Sequence, residues 1–402
     1  MIDRPDYLDR LRQYRDKHLI KVMTGVRRCG KTTLLELYRD WLLTQGVEPS
    51  NVQFIDFEDP DAAVEDDWRA VFATITDELS DDGMNYILLN EPQLISSFER
   101  LLNGLHTRKN VDLYVTGSNA WFLSSEMATL LSGRYVEIPV LPFSFKEYLA
   151  MRGSSSDLRK KFDEYLTWGG FPQAVELHGE SETLVTDYLR SIYNTVLLKD
   201  IMGRKGIGDA AALDRLARFM FHNVGNTTTP RSIAATMTSF GQKISNHTVT
   251  SYLGTFVESY VLYPVERYDV RGKQLLQTQG KYYLVDMGLR RMLLGRPSAQ
   301  DVGHLLENVI YLELIRRHCE VRIGKSNAYE IDFVATHPSG DKSYYQVAYT
   351  AREESTLERE LRPLRNLDNN PKYLVTLDEE ELDFDGIKKI NALEFLLAGR
   401  AG

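Results

Sequence analysis

A run of residues near the N-terminus has the composition and spacing of a phosphate-binding loop. Glycines at positions 25 and 30 enclose four residues, and Lys31 and Thr32 follow directly. Glycines let backbone N–H groups curl around an anion, and the positive end of the following helix adds to the attraction. The lysine then reaches the β- and γ-phosphates, and the threonine hydroxyl ligates magnesium. The pattern predicts ATP with Mg²⁺ as cofactors; an ordinary glycine-rich turn before a helix is the alternative.

The residues around this loop form the predicted nucleotide contact set. It comprises Gly25, Val26, Arg27, Arg28, Cys29, Gly30, Lys31, Thr32 and Thr33. The roles of the two arginines stay open, because each can approach the nucleotide or remain a solvated loop residue.

A second polar group follows an apolar run that ends in Asn90 and Glu91. In a nucleotide hydrolase, an Asp at the first position holds magnesium through water, and the Glu polarises the attacking water. Asn90 keeps the shape of Asp but lacks its charge, so we expect Thr32 and Asn90 to hold the metal weakly. An Asp at position 90 is accordingly expected to raise the hydrolysis rate. Glu91 and Lys31 are predicted catalytic residues.

Two further positions suit a hydrolase that works between subunits. Asn119 follows an apolar run at 112–116, where a side chain sensing the γ-phosphate is expected, and Arg134 precedes another apolar run. An arginine there can neutralise charge that develops on the phosphate of a neighbouring subunit. An ion pair within its own subunit is the alternative for Arg134.

These residues need a particular scaffold. Short apolar runs at 17–24, 51–57, 86–89, 112–116 and 135–140 alternate with amphipathic helical stretches. This order predicts an α/β fold whose parallel sheet has helices on both faces. Helices continue after Pro142. A helix, a turn, a helix and a two-stranded wing then follow, as in a winged helix. A last α/β segment begins near residue 297.

Composition restricts the class of protein. The chain has 402 residues, a net charge of −9 and two cysteines, Cys29 and Cys319, which suggest neither a disulfide framework nor a metal site. No apolar run suits a membrane span or a signal peptide, so we expect a cytoplasmic protein without membrane contact. The segment from Lys199 to Arg296 carries 14 Lys and Arg against 7 Asp and Glu. This basic segment allows a DNA-facing surface; a solvated helical surface is the alternative.

Several passages together resemble the AAA+ ATPases, and more narrowly an archaeal-type branch with a C-terminal nuclease-like domain. They are GVRRCGKTTLL, VTGSNAWFLSSEMATLLSGRYVEIPVLPFSFKEYL, GGFPQAV and LLENVIYLELIRR with the EIDFVA and YYQVAYT segments. The resemblance implies an AAA+ core at 1–145, a helical lid at 146–208, a winged helix at 209–296 and the nuclease-like domain at 297–402. It assigns Asn119 as sensor and Arg134 as arginine finger. It also implies self-association, with a hexamer as the default.

The C-terminal segment resembles PD-(D/E)XK endonucleases. The matching residues are Glu307, Glu330, Asp332 and Gln346. Gln346 lacks the charge of the usual second carboxylate, and Ala348 stands where a lysine would activate water. The resemblance therefore implies a vestigial site that binds rather than cleaves.

The sequence is compatible with three functions. An ATP-driven protein acting on branched or forked DNA is the first, an ATP-controlled assembly or signalling switch is the second, and an ATP-regulated nuclease is the third. For the first, the candidate DNA contacts are Lys243, Asn246, His247, Arg267, Arg271 and Lys273.

Overall fold

The computed structural model describes residues 2–59, 67–118, 131, 133–153, 157–202, 209–326 and 328–398, without the side chains of 197–200 and 276–279. The chain divides into two compact units. The first comprises residues 1–142 with 258–260, and the second comprises residues 143–257 with 261–402.

The first unit contains a five-stranded parallel sheet in the order β2-β3-β4-β1-β5. Its strands are β1 (Ile20–Thr24), β2 (Val52–Asp56), β3 (Asn85–Asn90), β4 (Val111–Gly117) and β5 (Tyr135–Pro139). The helices are α1 (Pro5–Gln13), α2 (Lys31–Thr44), α3 (Trp68–Asp77) and α4 (Phe98–His106), with short 3-10 turns at Pro49–Asn51 and Pro92–Leu94. All five strands predicted from the sequence are present, and the parallel sheet is confirmed.

The core of this unit forms where the helices pack on the sheet. β1, β3 and β4 are buried along their whole length, as their continuous apolar runs predict. α4 buries Phe98, Leu101, Leu102 and Leu105, which lie on one face of the helix at spacings of three and four residues. Each such side chain contributes about 1.5–3 kcal/mol when removed from water. This packing holds the ends of β1 and β3, where the polar residues lie.

The second unit begins with helices. They are α5 (Phe145–Arg152), α6 (Leu158–Trp168), α7 (Pro172–Leu177), α8 (Glu182–Asn194), a π-helical segment (Thr195–Met202), α9 (Ala210–His222), α10 (Pro230–Ser239) and α11 (Asn246–Glu258). α12 (Met287–Leu294), α13 (Val302–Arg316), α14 (Glu354–Leu361) and α15 (Ala392–Leu397) come later in the chain. The predicted start of α10 is confirmed, since Thr229 caps it with Pro230 at the first helical position.

An eight-stranded sheet completes the second unit, in the order β12-β13-β11-β10-β9-β8-β6-β7. Its strands are β6 (Leu262–Asp269), β7 (Gln274–Leu284), β8 (Glu320–Ser326), β9 (Tyr329–Thr336), β10 (Lys342–Val347), β11 (Lys372–Thr376), β12 (Leu382–Phe384) and β13 (Ile387–Asn391). The predicted wing is the β6–β7 hairpin, and β6 pairs in parallel with β8. The sheet therefore continues across the boundary predicted between residues 296 and 297. The hairpin belongs to the C-terminal sheet, because its strand β6 pairs with β8, which comes from the C-terminal segment.

Among the residues that the structure describes, no helix is long and apolar enough to cross a membrane.

Candidate nucleotide-binding site

The glycine loop between β1 and α2 has the backbone geometry that its sequence demands. Gly25 has φ of 147°, and a Cβ there would lie 2.1 Å from the Val140 carbonyl oxygen, so a side chain does not fit. Gly30 has φ of 98° and precedes α2, whose start has no side-chain cap. Uncapped N–H groups at a helix start are ready donors to an anion. The loop therefore presents backbone donors together with the positive end of α2.

Lys31 supplies the cation at this loop. Its side chain is buried, and its ammonium donates hydrogen bonds to the carbonyls of Gly25 (3.0 Å) and Val26 (3.2 Å). The Glu91 carboxylate lies 3.7 Å from the same nitrogen. The charged end of Lys31 is thus directed across the loop toward the end of β3.

Thr32 and Asn90 lie next to one another, as predicted for a metal site. The Thr32 hydroxyl donates to Asn90 Oδ1 at 3.0 Å, and the Thr116 hydroxyl donates to the same oxygen at 2.7 Å. Asn90 Nδ2 donates to Asp56 Oδ1 at 2.7 Å. The Asn90 side chain is completely buried. Asp56 was not among the predicted site residues.

Glu91 has the geometry of a strained functional residue. Its backbone is left-handed, with φ of 54° and ψ of 46°, which costs a non-glycine residue free energy of order 1–3 kcal/mol. Its carboxylate accepts hydrogen bonds from the Ser118 hydroxyl (2.9 Å) and backbone N–H (3.2 Å), and from Gln93. The Glu91 N–H donates to Thr116 Oγ1 at 3.0 Å. Thr116 and Ser118, at the end of β4, therefore fix both the backbone and the carboxylate of Glu91.

The remaining predicted site residues have different surroundings. Arg27 forms an ion pair with Glu58, whereas Arg28 is exposed with φ of 68°. The Cys29 thiol is buried, lies 3.3 Å from the Val140 carbonyl oxygen, and has a pKa raised by burial. Thr33 is half-buried on the first turn of α2.

Of the two residues predicted to act between subunits, the structure describes Arg134. Arg134 is exposed just before β5 and forms no ion pair with any residue that the structure describes. The alternative of an ion pair inside its own subunit therefore has no partner among those residues. Asn119, the predicted sensor, lies outside the described residues.

The donors around the loop fit a triphosphate accompanied by a divalent cation. Uncapped N–H groups and the buried Lys31 ammonium suit phosphate oxygens, while the Thr32 hydroxyl beside an amide oxygen suits magnesium. Lys31 would hold the triphosphate, and Thr32 and Asn90 would hold the magnesium ion.

A second polar cluster lies in the second unit and contains the predicted nuclease-like residues. Glu307 lies on α13, and Glu330 and Asp332 lie on β9. The Lys281 ammonium, from β7, lies 2.8 Å from Glu307, 3.0 Å from Glu330 and 3.7 Å from Asp332. Tyr283 also donates to Glu307 at 2.6 Å. The structure thus groups three of the predicted residues around a lysine that the sequence reasoning did not include.

The electrostatics of this cluster follow from burial and from Lys281. Burial raises the pKa of Asp332, and the neighbouring Glu307 raises it further. Burial acts in the same direction on Glu307, but the Lys281 ammonium and the hydrogen bonds from His304, Lys281 and Tyr283 together outweigh it and lower the pKa of that carboxyl. Burial would lower the pKa of Lys281, and the surrounding carboxylates raise it.

Gln346 lies beside the cluster on β10. Its carbonyl accepts from the Asp332 N–H at 3.4 Å, and its amide donates to Glu360 at 3.1 Å. These residues line a cavity of about 820 Å³. Among the described residues, no group of three or more His, Cys, Asp and Glu side chains is arranged to hold a metal ion. Lys281 lies against one oxygen of each of the Glu307, Glu330 and Asp332 carboxylates, where a cation would otherwise bind.

The candidate DNA contacts divide into exposed and paired residues. Lys243 precedes α11, Asn246 and His247 begin it, and all three are exposed. Arg271 and Lys273 are exposed in the β6–β7 turn. Arg267 instead lies 3.7 Å from Glu330, with its side chain 16% exposed. A backbone phosphate would have to compete with that carboxylate, so Arg267 is the weakest of the predicted contacts.

Comparison with known proteins agrees with the loop geometry. Residues 17–149 match the family model described as an AAA domain, and residues 159–300 match a domain of unknown function. The chain is 38% identical over 402 residues to an uncharacterized protein of Haemophilus influenzae, with 99% of each chain covered. The chain belongs to the same family as that protein, and the AAA domain is matched in this chain at residues 17–149. An uncharacterized protein of Methanocaldococcus jannaschii is 25% identical over 381 residues, with 90% of this chain and 82% of that protein covered.

A solved structure has a fold similar to that of this chain. The Walker-type ATPase of Pyrococcus abyssi superposes with a TM-score of 0.51 and 14% identity, covering 73% of this chain and 96% of that chain. The match at residues 17–149 confirms the AAA part of the resemblance seen in the sequence, and the likeness to nucleases stays a prediction.

Sequence reasoning missed Asp56 and Lys281, although each had a signal. Asp56 ends β2 as Asn90 ends β3, and parallel strands bring such ends to one edge of a sheet. Lys281 opens an otherwise apolar strand segment, where a lone lysine indicates a buried carboxylate partner.

Proposed function

We propose that this chain binds ATP with magnesium and hydrolyses it. One observation carries the proposal: the Lys31 ammonium and the Glu91 carboxylate lie 3.7 Å apart beside the uncapped start of α2. A phosphate-binding cation and a carboxylate base at one loop are the groups that phosphoryl transfer to water needs.

Each residue then has a distinct task. Bound magnesium supplies positive charge that offsets the negative charge developing on the phosphate oxygens. Lys31 orients the terminal phosphates, and Thr32 with Asn90 holds the metal shell. Glu91 orients the attacking water and accepts its proton, from a position fixed by Ser118 and Thr116.

We propose further that the active form is an assembly of several chains, with a hexamer as the expected ring. The exposed Arg134, without an ion pair to any described residue, supports action on the nucleotide of a neighbour. An arginine supplied in this way stabilises the charge on the transferred phosphate.

Branched or forked DNA is the proposed substrate of this activity. The support is the exposed basic set at the start of α11 and in the β6–β7 turn: Lys243, His247, Arg271 and Lys273. Such positions meet DNA phosphates in winged helices. An ATP-controlled assembly or signalling switch is the alternative, and DNA-stimulated ATP turnover separates the two.

The nuclease-like segment is proposed to bind rather than to cleave. The Lys281 ammonium pairs with Glu307, Glu330 and Asp332, and Gln346 is uncharged. The Lys281 ammonium would compete with a metal ion for these carboxylates, and the Gln346 amide brings no negative charge to hold one.

ATP binding by the Lys31→Ala variant tests the main proposal. We expect loss of tight binding, because the Lys31 ammonium lies against the Gly25 and Val26 carbonyls at the start of α2, where it would meet the terminal phosphates. Lys109→Ala is the matched control, since it removes an exposed lysine of the same unit. Equal ATP affinity of both variants and the unmodified protein would refute the assignment.

A further inference from the structure

Asp56 and Asn90 form a link between two neighbouring parallel strands. They are register partners at the ends of β2 and β3, and the Phe57 N–H donates to the Asn90 carbonyl at 3.0 Å. The side chains are joined as well, with 2.7 Å from Asn90 Nδ2 to Asp56 Oδ1. This link lies beside Thr32, the first residue of the expected magnesium site.

The hydrogen bonds of Asn90 determine which way its amide points. Asp56 is a carboxylate and only accepts, so the amide nitrogen faces it. The amide oxygen consequently faces the hydroxyls of Thr32 and Thr116, at 3.0 and 2.7 Å. With the amide reversed, the nitrogen would face two hydroxyls and the oxygen would face a carboxylate. Asp56 therefore determines the orientation of the oxygen next to Thr32.

We propose that Asp56 is a positioning residue of the magnesium site, supplying from β2 the negative charge that Asn90 lacks. The carboxylate acts through the Asn90 amide: it directs the amide oxygen toward Thr32 and polarises that oxygen. A charge-assisted hydrogen bond to Asp56 increases the electron density on Asn90 Oδ1, which strengthens its hold on the metal shell. The inference rests on the proposed ATP binding and names the residue that completes the site.

This inference reverses the expectation for Asp at position 90. An Asn90→Asp side chain would face the Asp56 carboxylate at hydrogen-bond distance with no proton between them. Two like charges that close repel strongly, and position 90 is completely buried. Asn90 is thus the neutral partner that Asp56 requires. Together the two residues carry one negative charge, and it lies on Asp56 instead of on residue 90.

The test measures ATP affinity with Mg²⁺ and with EDTA, using a fluorescent ATP analogue and no turnover. Asp56→Asn keeps an acceptor for Asn90 but removes the charge, and Asp56→Ala removes both. We expect Asp56→Asn to reduce the Mg²⁺-dependent gain in affinity by about tenfold, and Asp56→Ala by more. Affinity in EDTA should stay close to that of the unmodified protein, which a merely structural role would not predict.

Reciprocal substitution provides the second arm. Asn90→Asp alone should lose Mg²⁺-dependent affinity, and Asp56→Asn combined with Asn90→Asp should regain it, because one carboxylate and one amide again face each other. Asp77→Asn, an exposed carboxylate at the end of α3, controls for net charge.

The outcomes distinguish the inference from the proposed function. If Asp56→Asn matches the Asp77→Asn control and Asn90→Asp strengthens Mg²⁺-dependent binding, Asp56 has no role at the metal. If the unmodified protein fails to bind the analogue under any condition, the nucleotide-binding proposal itself is wrong.

Discussion

The Lys281 ammonium lies 2.8 Å from a carboxylate oxygen of Glu307, and both side chains are buried. β7 brings the lysine and α13 brings the glutamate, so the contact joins the predicted wing to the predicted nuclease-like segment. A buried ion pair is costly to break, since removal of one partner leaves the other charge without compensation.

Lys281→Met should therefore destabilise the protein strongly. The methionine keeps the volume of the side chain but leaves the Glu307, Glu330 and Asp332 carboxylates next to each other. We expect the free energy of unfolding, measured by urea denaturation, to fall by about 3–5 kcal/mol. Lys273→Met, on an exposed residue of the same hairpin, should change it by less than about 0.5 kcal/mol. Equal stability of the two variants would show that the cluster does not depend on its lysine.

Glu91→Gln should separate ATP binding from hydrolysis. Glutamine keeps the size of the side chain and can still bond to Ser118, but it cannot accept the proton of the attacking water. Turnover should fall by about 10² to 10⁴-fold, as expected for loss of a general base, while ATP affinity stays close to that of the unmodified protein. Phosphate release and analogue binding measure the two quantities. Retained turnover would assign the base to another residue.

The elements of the first unit could be predicted because their signals are local. Five apolar runs of strand length, separated by helical stretches, correspond to β1 through β5. The loop could be predicted for the same reason, since Gly25, Gly30, Lys31 and Thr32 are near in sequence. Residues at the carboxyl ends of β1 and β3 then lie on the same edge of the parallel sheet, with β4 between the two strands.

The contacts that were missed depend on the order of strands in a sheet. Asp56 reaches Asn90 only because β2 is the neighbour of β3. Lys281 reaches Glu307 because β6 pairs with β8, which adds the hairpin to the C-terminal sheet. No local pattern encodes either pairing, and the continuation of the sheet past residue 296 has the same origin.

Arg134→Ala should lower ATP turnover while leaving nucleotide affinity near normal, because the exposed guanidinium is expected to act on the phosphates of a neighbouring subunit. Mixing tests this directly. Arg134→Ala and Lys31→Ala chains, each inactive alone, should regain part of the turnover when combined. Some interfaces then bring the intact Arg134 of one chain to the intact Lys31 site of its neighbour. Mixed assemblies of confirmed composition without any activity would place the role of Arg134 inside its own chain.

The β6–β7 turn is the place to test DNA binding. Asp269 accepts from the backbone N–H groups of Arg271 (3.0 Å) and Gly272 (2.9 Å), which fixes the turn and leaves the Arg271 and Lys273 side chains exposed. Contacts of such side chains to phosphate supply affinity without sequence preference. Replacing Arg271 and Lys273 together by Ala should weaken binding to forked DNA about equally for different sequences.

The salt dependence of that binding gives the sharper measurement. Each lost phosphate contact reduces the slope of log affinity against log salt by about one unit, so the double variant should flatten it by about two. Arg267→Ala is the comparison: because Arg267 already faces Glu330 at 3.7 Å, its loss should change the slope much less. Unchanged affinity and slope in the Arg271 and Lys273 double variant would make the turn structural. The ATP-controlled switch would then be the better account of the chain.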